Sequence, residues 1–144
     1  MMRSLRPAVV LTLIALASAV SAQEMLTNVT FMPDDAGEGP ANWTFADFGT
    51  GGQSLYEPDA GREGSGAVGV LCATEDQRGA WRQRVQLGEA RALHVSGYYR
   101  TEGIAERGRA MLRLTWLRGE AGWDFIDDVR LPLEPAEGWT RFEG

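Results

Sequence analysis

Apolar and polar residues alternate with a period of two in two stretches, and this alternation constrains the chain most. In the first, Leu93, Val95, Gly97, Tyr99 and Thr101 fall on one side, and His94, Ser96, Tyr98 and Arg100 on the other. In the second, Ala110, Leu112, Leu114 and Trp116 oppose Met111, Arg113, Thr115 and Leu117. A period of two fits a strand with one face buried, not a helix. The first set of each stretch is therefore predicted to face the core. The segment Ile104–Gly108 reads as a hairpin connection, so the two strands are expected to pair antiparallel. A third run sets Trp81, Gln83, Val85 and Leu87 against Arg82, Arg84 and Gln86. Further strands are predicted over Ser65–Ala73, Trp123–Leu131 and Trp139–Phe142, with shorter extended pieces at Leu26–Met32 and Trp43–Phe48. The chain has 18 glycines, and turn-rich clusters at Gly37–Pro40, Gly49–Gln53, Asp59–Gly66, Thr101–Gly108, Gly119–Gly122 and Pro132–Gly138 separate these runs. Short strands at such spacing predict an all-β sandwich or barrel.

The N-terminus has a different character. Arg3 and Arg6 precede a nearly continuous apolar run over Pro7–Val20, and Val20-Ser21-Ala22 closes it with small residues. This order fits a signal peptide over residues 1–22, leaving Gln23 as the mature N-terminus and one domain over 23–144. A secreted or periplasmic location follows. The run is short for a bilayer core of about 30 Å, so no membrane span is expected after cleavage. No Cys follows it to carry a lipid.

A net charge of −6 argues against general nucleic-acid binding. The charge is unevenly spread. Nine arginines lie between Arg78 and Arg118, against Glu89, Glu102 and Glu106 only, while both flanks are acidic. No lysine occurs, and Arg presents a planar fork of donors suited to hydroxyl pairs and carboxylates. Cys72, the single cysteine, cannot form a disulfide within the chain and reads as a small core residue. His94 is the single histidine; with no matched nucleophile it builds no triad, and it supplies no His-rich metal site. Asp34-Asp35 and Asp127-Asp128 are adjacent pairs whose side chains diverge on an extended strand, unlike the facing carboxylates of a glycosidase. A hydrolase is the weakest of the functional readings. Asn28-Val29-Thr30 and Asn42-Trp43-Thr44 fit the glycosylation pattern.

Taken in order, several short motifs resemble one family. They are Asn28-x-x-Phe31 and Pro40-x-x-Trp43, then Gly64-Ser65-Gly66-Ala67-Val68, then Trp81-Arg82-Gln83-Arg84-Val85. Val95-Ser96-Gly97-Tyr98-Tyr99-Arg100-Thr101 and Gly138-Trp139-Thr140-Arg141 complete the series. The series resembles carbohydrate-binding modules of the galactose-binding-like jelly-roll group, and spans Leu26–Gly144. The resemblance implies an antiparallel β-sandwich of jelly-roll type, with Trp43 and Trp139 as buried packing rings. It also implies strands beyond the Trp-Thr motif, so the domain over 23–144 is expected to lack its last strands. Met32 stands where the group carries a Glu near a structural calcium. No cofactor is therefore expected, a structural calcium held by loop oxygens being the one candidate left open.

Sugar binding needs an aromatic platform beside hydrogen-bonding groups. The polar face of the central strands offers Tyr98 and Arg100, with Arg113 on what is predicted to be the next strand. Arg82 and Arg84 are candidates to join them, and Trp123, just after a Gly-containing turn, is the second aromatic candidate. The expected function is non-catalytic recognition of a polysaccharide or oligosaccharide. The alternative is a protein-interaction or structural module whose Arg-rich face docks onto a partner protein or domain. An exposed sheet face that carries Arg for solubility alone is the plainest reading of the same residues.

Overall fold

A computed structural model of the protein describes residues 8–12, 26–86, 93–104, 106, 109–118 and 124–144. Among them the fold is all-β, with nine strands and one short 3-10 turn at Arg62–Gly64. The main sheet contains β1 (Ala8–Thr12), β3 (Gln53–Glu57), β4 (Ala67–Leu71), β6 (Ser96–Glu102) and β9 (Thr140–Glu143). Its order is β3-β4-β1-β6-β9, and every neighbouring pair is antiparallel. Two smaller ribbons pair β2 (Thr44–Ala46) with β5 (Ala80–Arg82), and β7 (Ala110–Arg118) with β8 (Asp124–Leu133).

The alternation in the sequence is realised as burial. Along β6, Gly97, Tyr99 and Thr101 are buried, while Ser96, Tyr98 and Arg100 are half-buried on the other face. Along β7, Ala110 is buried and Leu112, Leu114 and Trp116 half-buried, with Met111, Arg113, Thr115 and Leu117 exposed. The core joins Val68, Tyr99 and Phe142 of the main sheet to Ala110 and Leu133 at the base of the β7–β8 ribbon, around Phe31. The sheet and the ribbon therefore bury apolar surface against each other, which no single strand pair achieves alone.

The strands alternate as expected, but their partners differ from the prediction. β6 and β7 do not form a hairpin: β6 pairs with β1 and β9, and β7 pairs with β8. Ile104, just after β6, packs against the core. β9 sets Phe142 opposite Gly97, where the missing side chain leaves space, and its ring lies 6.3 Å from that of Tyr99. β7 meets a nine-residue ladder on β8, with Leu112 opposite Leu131 and Leu114 opposite Val129.

Three further expectations are corrected. Leu26–Met32 is not a strand. The Asn28 amide donates to the Met32 and Ala41 carbonyls, and its Oδ1 accepts from the Met32 N–H, which closes a turn. Asn28 itself takes φ 52°, a left-handed conformation that Asn tolerates better than most residues. The same hydrogen bonds occupy the nitrogen that glycosylation at Asn28 would need. β3 follows the turn expected at Gly49–Gln53, in a stretch where no strand was predicted. Cys72 is half-buried, not a core residue.

The central strand β1 lies inside the apolar N-terminal run. Its neighbours are β4, with Val10 opposite Gly69, and β6, with Val10 opposite Arg100. The rest of that run, and the cleavage motif at 20–22, lie outside the described residues. No helix among the described residues is long and apolar enough to cross a membrane.

Candidate functional site

The face of the main sheet opposite the core carries the alternate residues of each strand. On β6 these are Tyr98 and Arg100. Arg141 on β9 is the cross-strand partner of Tyr98, and Trp139 immediately precedes β9. On β4, Ala67 and Gly69 have this parity, and Glu57 of β3 lies opposite Ala67. Arg, Tyr and Glu side chains thus share this face with the small, buried Ala67 and Gly69.

Two aromatic rings on this face each hold a guanidinium. Arg62 Cζ sits 4.1 Å from the centroid of the Tyr98 ring, and Arg100 Cζ lies 5.2 Å from that of Trp139. A cation over an aromatic face is attracted by the ring quadrupole, so both forks are partly preorganised. The Arg62 fork is also fixed by Glu63, 2.9 Å from its Nη2. Arg100 belongs to β6 and Glu57 to β3, three strand spacings or roughly 14 Å apart. Their side chains nevertheless approach to 4.0 Å, each 40 % exposed. Arg141 is similarly engaged with Glu143 at 2.9 Å. The face thus offers aromatic CH-stacking surface, three guanidinium forks as donors and three carboxylates as acceptors.

The structure brings Tyr98 and Arg100 together, but not the rest of the predicted set. Arg113 is on the β7–β8 ribbon, where its Nε lies 2.6 Å from Asp128 Oδ2; Arg130 Nε meets the same oxygen at 2.7 Å. The hydrogen bond from Arg130, with the Arg113 guanidinium beside it, holds the Asp128 carboxyl below the usual carboxylate range despite its desolvation. Asp127-Asp128 thus supplies an ion-pair hub on the ribbon. Arg82 ends β5, opposite Thr44 of β2, and Arg84 follows it; both are exposed. Trp123 lies outside the described residues. His94 is exposed.

Trp139 and Arg62 were not anticipated. Trp139 reads as a core ring in the Gly-Trp-Thr motif, yet it is half-buried and carries Arg100. Trp43 is also only half-buried; its indole N–H donates to the Asn28 carbonyl and its ring lies 5.1 Å from Phe31. Arg62 sits in a turn that sequence patterning marks only as a connection. Its place over Tyr98 follows from the long-range order of β3, β4 and β6.

An open cleft between β8 and β9 is lined by Tyr99, Leu131, Leu133 and Phe142 with Glu143 and Arg141 at its mouth. Glu134 also lines it, so apolar core residues and three charged side chains share its wall. Among the described residues, no three carboxylate, His or Cys side chains are grouped to hold a metal ion. Compared with protein-family models, curated proteins and solved structures, the chain matches none.

Proposed function

We propose that the chain is an exported, non-catalytic carbohydrate-binding-like module. In this reading residues 1–22 are a removable leader, and the remainder is a β-sandwich of jelly-roll type, secreted or periplasmic. A polysaccharide or oligosaccharide lies across the outer face of the main sheet. One observation carries the reading: Tyr98 and Trp139 share a sheet face with Arg100 and Arg141 on the paired strands β6 and β9. Sugar CH faces stack on the rings, and hydroxyl pairs take hydrogen bonds from the Arg100 and Arg141 forks. Arg62, tethered in its turn, moves off Tyr98 to admit the sugar and then bonds the next hydroxyl. The platform is shallow and solvated, so affinity is weak. Affinity electrophoresis against neutral and acidic polysaccharides tests this. Retardation by at least one glycan, lost in Tyr98→Ala, is expected; retardation that survives the substitution, or no retardation at all, refutes it.

A second reading, docking onto a partner protein, is supported by the β7–β8 ribbon. Met111, Leu117, Phe125, Ile126 and Val129 are exposed there, between 39 % and 56 %. Leu117 and Phe125 are cross-strand partners, and exposed apolar residues of that kind often mark an interaction surface. Partner capture that is abolished by Phe125→Asp and unaffected by Tyr98→Ala would favour this reading over glycan binding.

A further inference from the structure

We propose that the outer edge of β9 pairs antiparallel with the same edge of a second copy, joining two main sheets about a two-fold axis. The dimer does not depend on the glycan reading. β9 ends the order β3-β4-β1-β6-β9, and among the described residues no strand pairs with its outer side. The cleft between β8 and β9 opens beside this strand, with Arg141 and Glu143 at its mouth.

The backbone groups on that edge follow from the ladder. Val95 and Gly144 exchange both of their hydrogen bonds: the Val95 N–H donates to the Gly144 carbonyl at 2.8 Å, and the Gly144 N–H to the Val95 carbonyl at 2.9 Å. In an antiparallel ladder every second residue bonds to the same neighbour, and the residues between turn their N–H and C=O the other way. Phe142, opposite Gly97, therefore bonds toward β6, while Arg141 and Glu143 present their N–H and C=O groups at the outer edge. The Arg141 and Glu143 side chains are 49 % and 60 % exposed, with Nη2 2.9 Å from Oε2.

Charged residues on an edge strand usually discourage pairing, because like charges meet face to face. On β9 one register reverses this. Two antiparallel copies can set these outward residues as Arg141 opposite Arg141, as Glu143 opposite Glu143, or as Arg141 opposite Glu143. Only the last avoids opposing like charges. It centres on Phe142 and lets each Arg141–Glu143 pair exchange both main-chain hydrogen bonds. It also closes a ring of charge. Each guanidinium meets one carboxylate along its own strand and another across the interface, and like charges fall on the diagonals. An edge that is complementary to itself in this way takes a second copy as its partner. The axis stands normal to the sheet, so the faces bearing Tyr98 in both copies lie on one side of a continuous sheet. β9 is short, and interfaces this small are weak and transient.

Sedimentation of the full chain, from about 10 µM to about 1 mM, spans the range expected of so small an interface. The wild type is expected to form dimers, and Arg141→Glu or Glu143→Arg alone to weaken them roughly tenfold or more. An equimolar mixture of these two variants should associate again, since one copy then carries only Glu at the edge and the other only Arg. Recovery in the mixture also shows that both variants fold. The register is read by oxidation in a Cys72→Ser background. Opposed residues stand about 5.5 Å apart, within disulfide reach, whereas residue 141 and its own counterpart are about 8 Å apart and beyond it. Arg141→Cys mixed with Glu143→Cys is therefore expected to cross-link, and neither variant alone. A monomer across the whole range, charge variants that associate as the wild type does, or cross-linking as strong in either cysteine variant alone overturns the dimer. So does association that Phe125→Asp abolishes and the charge variants leave untouched.

Discussion

Phe31 and Met32 are chain neighbours with opposite fates, and substituting each tests whether the core is correctly located. Phe31 is fully buried at 0 % exposure and packs its ring 5.1 Å from Trp43, whereas Met32 is 60 % exposed. The Phe31 carbonyl accepts the Tyr56 hydroxyl at 2.8 Å through the backbone, so Phe31→Ala removes the ring and leaves that bond available. Truncating a fully buried Phe costs about 3–5 kcal/mol, from lost transfer energy and the cavity left behind. Set against a total stability of about 5–15 kcal/mol, this is a large fraction. It corresponds to a fall of roughly 10–20 °C in melting temperature for a domain of this size. Met32→Ala, by contrast, is expected to change stability by less than about 0.5 kcal/mol. Urea unfolding of the two variants, followed by tryptophan fluorescence, gives both numbers. Equal shifts, or a larger one for Met32→Ala, would refute the placement of the opening turn and of the core around it.

Other outcomes follow from single groups. Asp128 has its folded-state pKa lowered, first by the Arg130 hydrogen bond, so its contribution to stability is full above the unfolded value of 3.8 and disappears as pH falls through the lower folded value. Urea midpoints of the wild type and Asp128→Asn should therefore differ near pH 6, with the gap shrinking as pH falls below 3.8; a constant gap would contradict the ion-pair hub. Burial pushes the Cys72 thiol up, so thiolate is scarce, and a disulfide reagent at about pH 8 should react several-fold more slowly with the folded protein than with the urea-unfolded one. Equal rates would show the thiol to be open. Arg100→Ala should leave the melting temperature nearly unchanged, since exposed ion pairs contribute little, while weakening glycan binding roughly tenfold to a hundredfold. A variant that unfolds instead would assign Arg100 a structural role.

The local content of the fold was readable because period-two patterning is a local property. It placed Tyr99 and Thr101 inside and Tyr98 and Arg100 outside, and it marked the strands that became β4, β7 and β8. Pairing is not local. Nothing between Thr101 and Ala110 states that β6 will choose β9, because that choice depends on Phe142 filling the space above Gly97. Arg113 was grouped with Tyr98 only because the two strands were expected to form a hairpin, and it separated from Tyr98 when they did not. Trp139 and Arg62 were missed for the same reason: each reaches the site through register between strands far apart in sequence. The turn at Asn28 escaped notice because a side-chain amide, not a Gly or Pro, closes it. Ala8–Thr12 carries two meanings, since an uncharged β-branched run suits a leader and a central strand equally well.

The central claim is that ligand lies on the sheet face of Tyr98, Arg100 and Trp139. The most direct measurement is an NMR titration of the labelled protein with whichever glycan retards it. The predicted result is that the Trp139 indole N–H and the backbone amides of Tyr98, Arg100 and Arg141 shift together and saturate at one concentration. Shifts gathered instead on Arg113, Phe125 and Val129 of the β7–β8 ribbon would contradict the account.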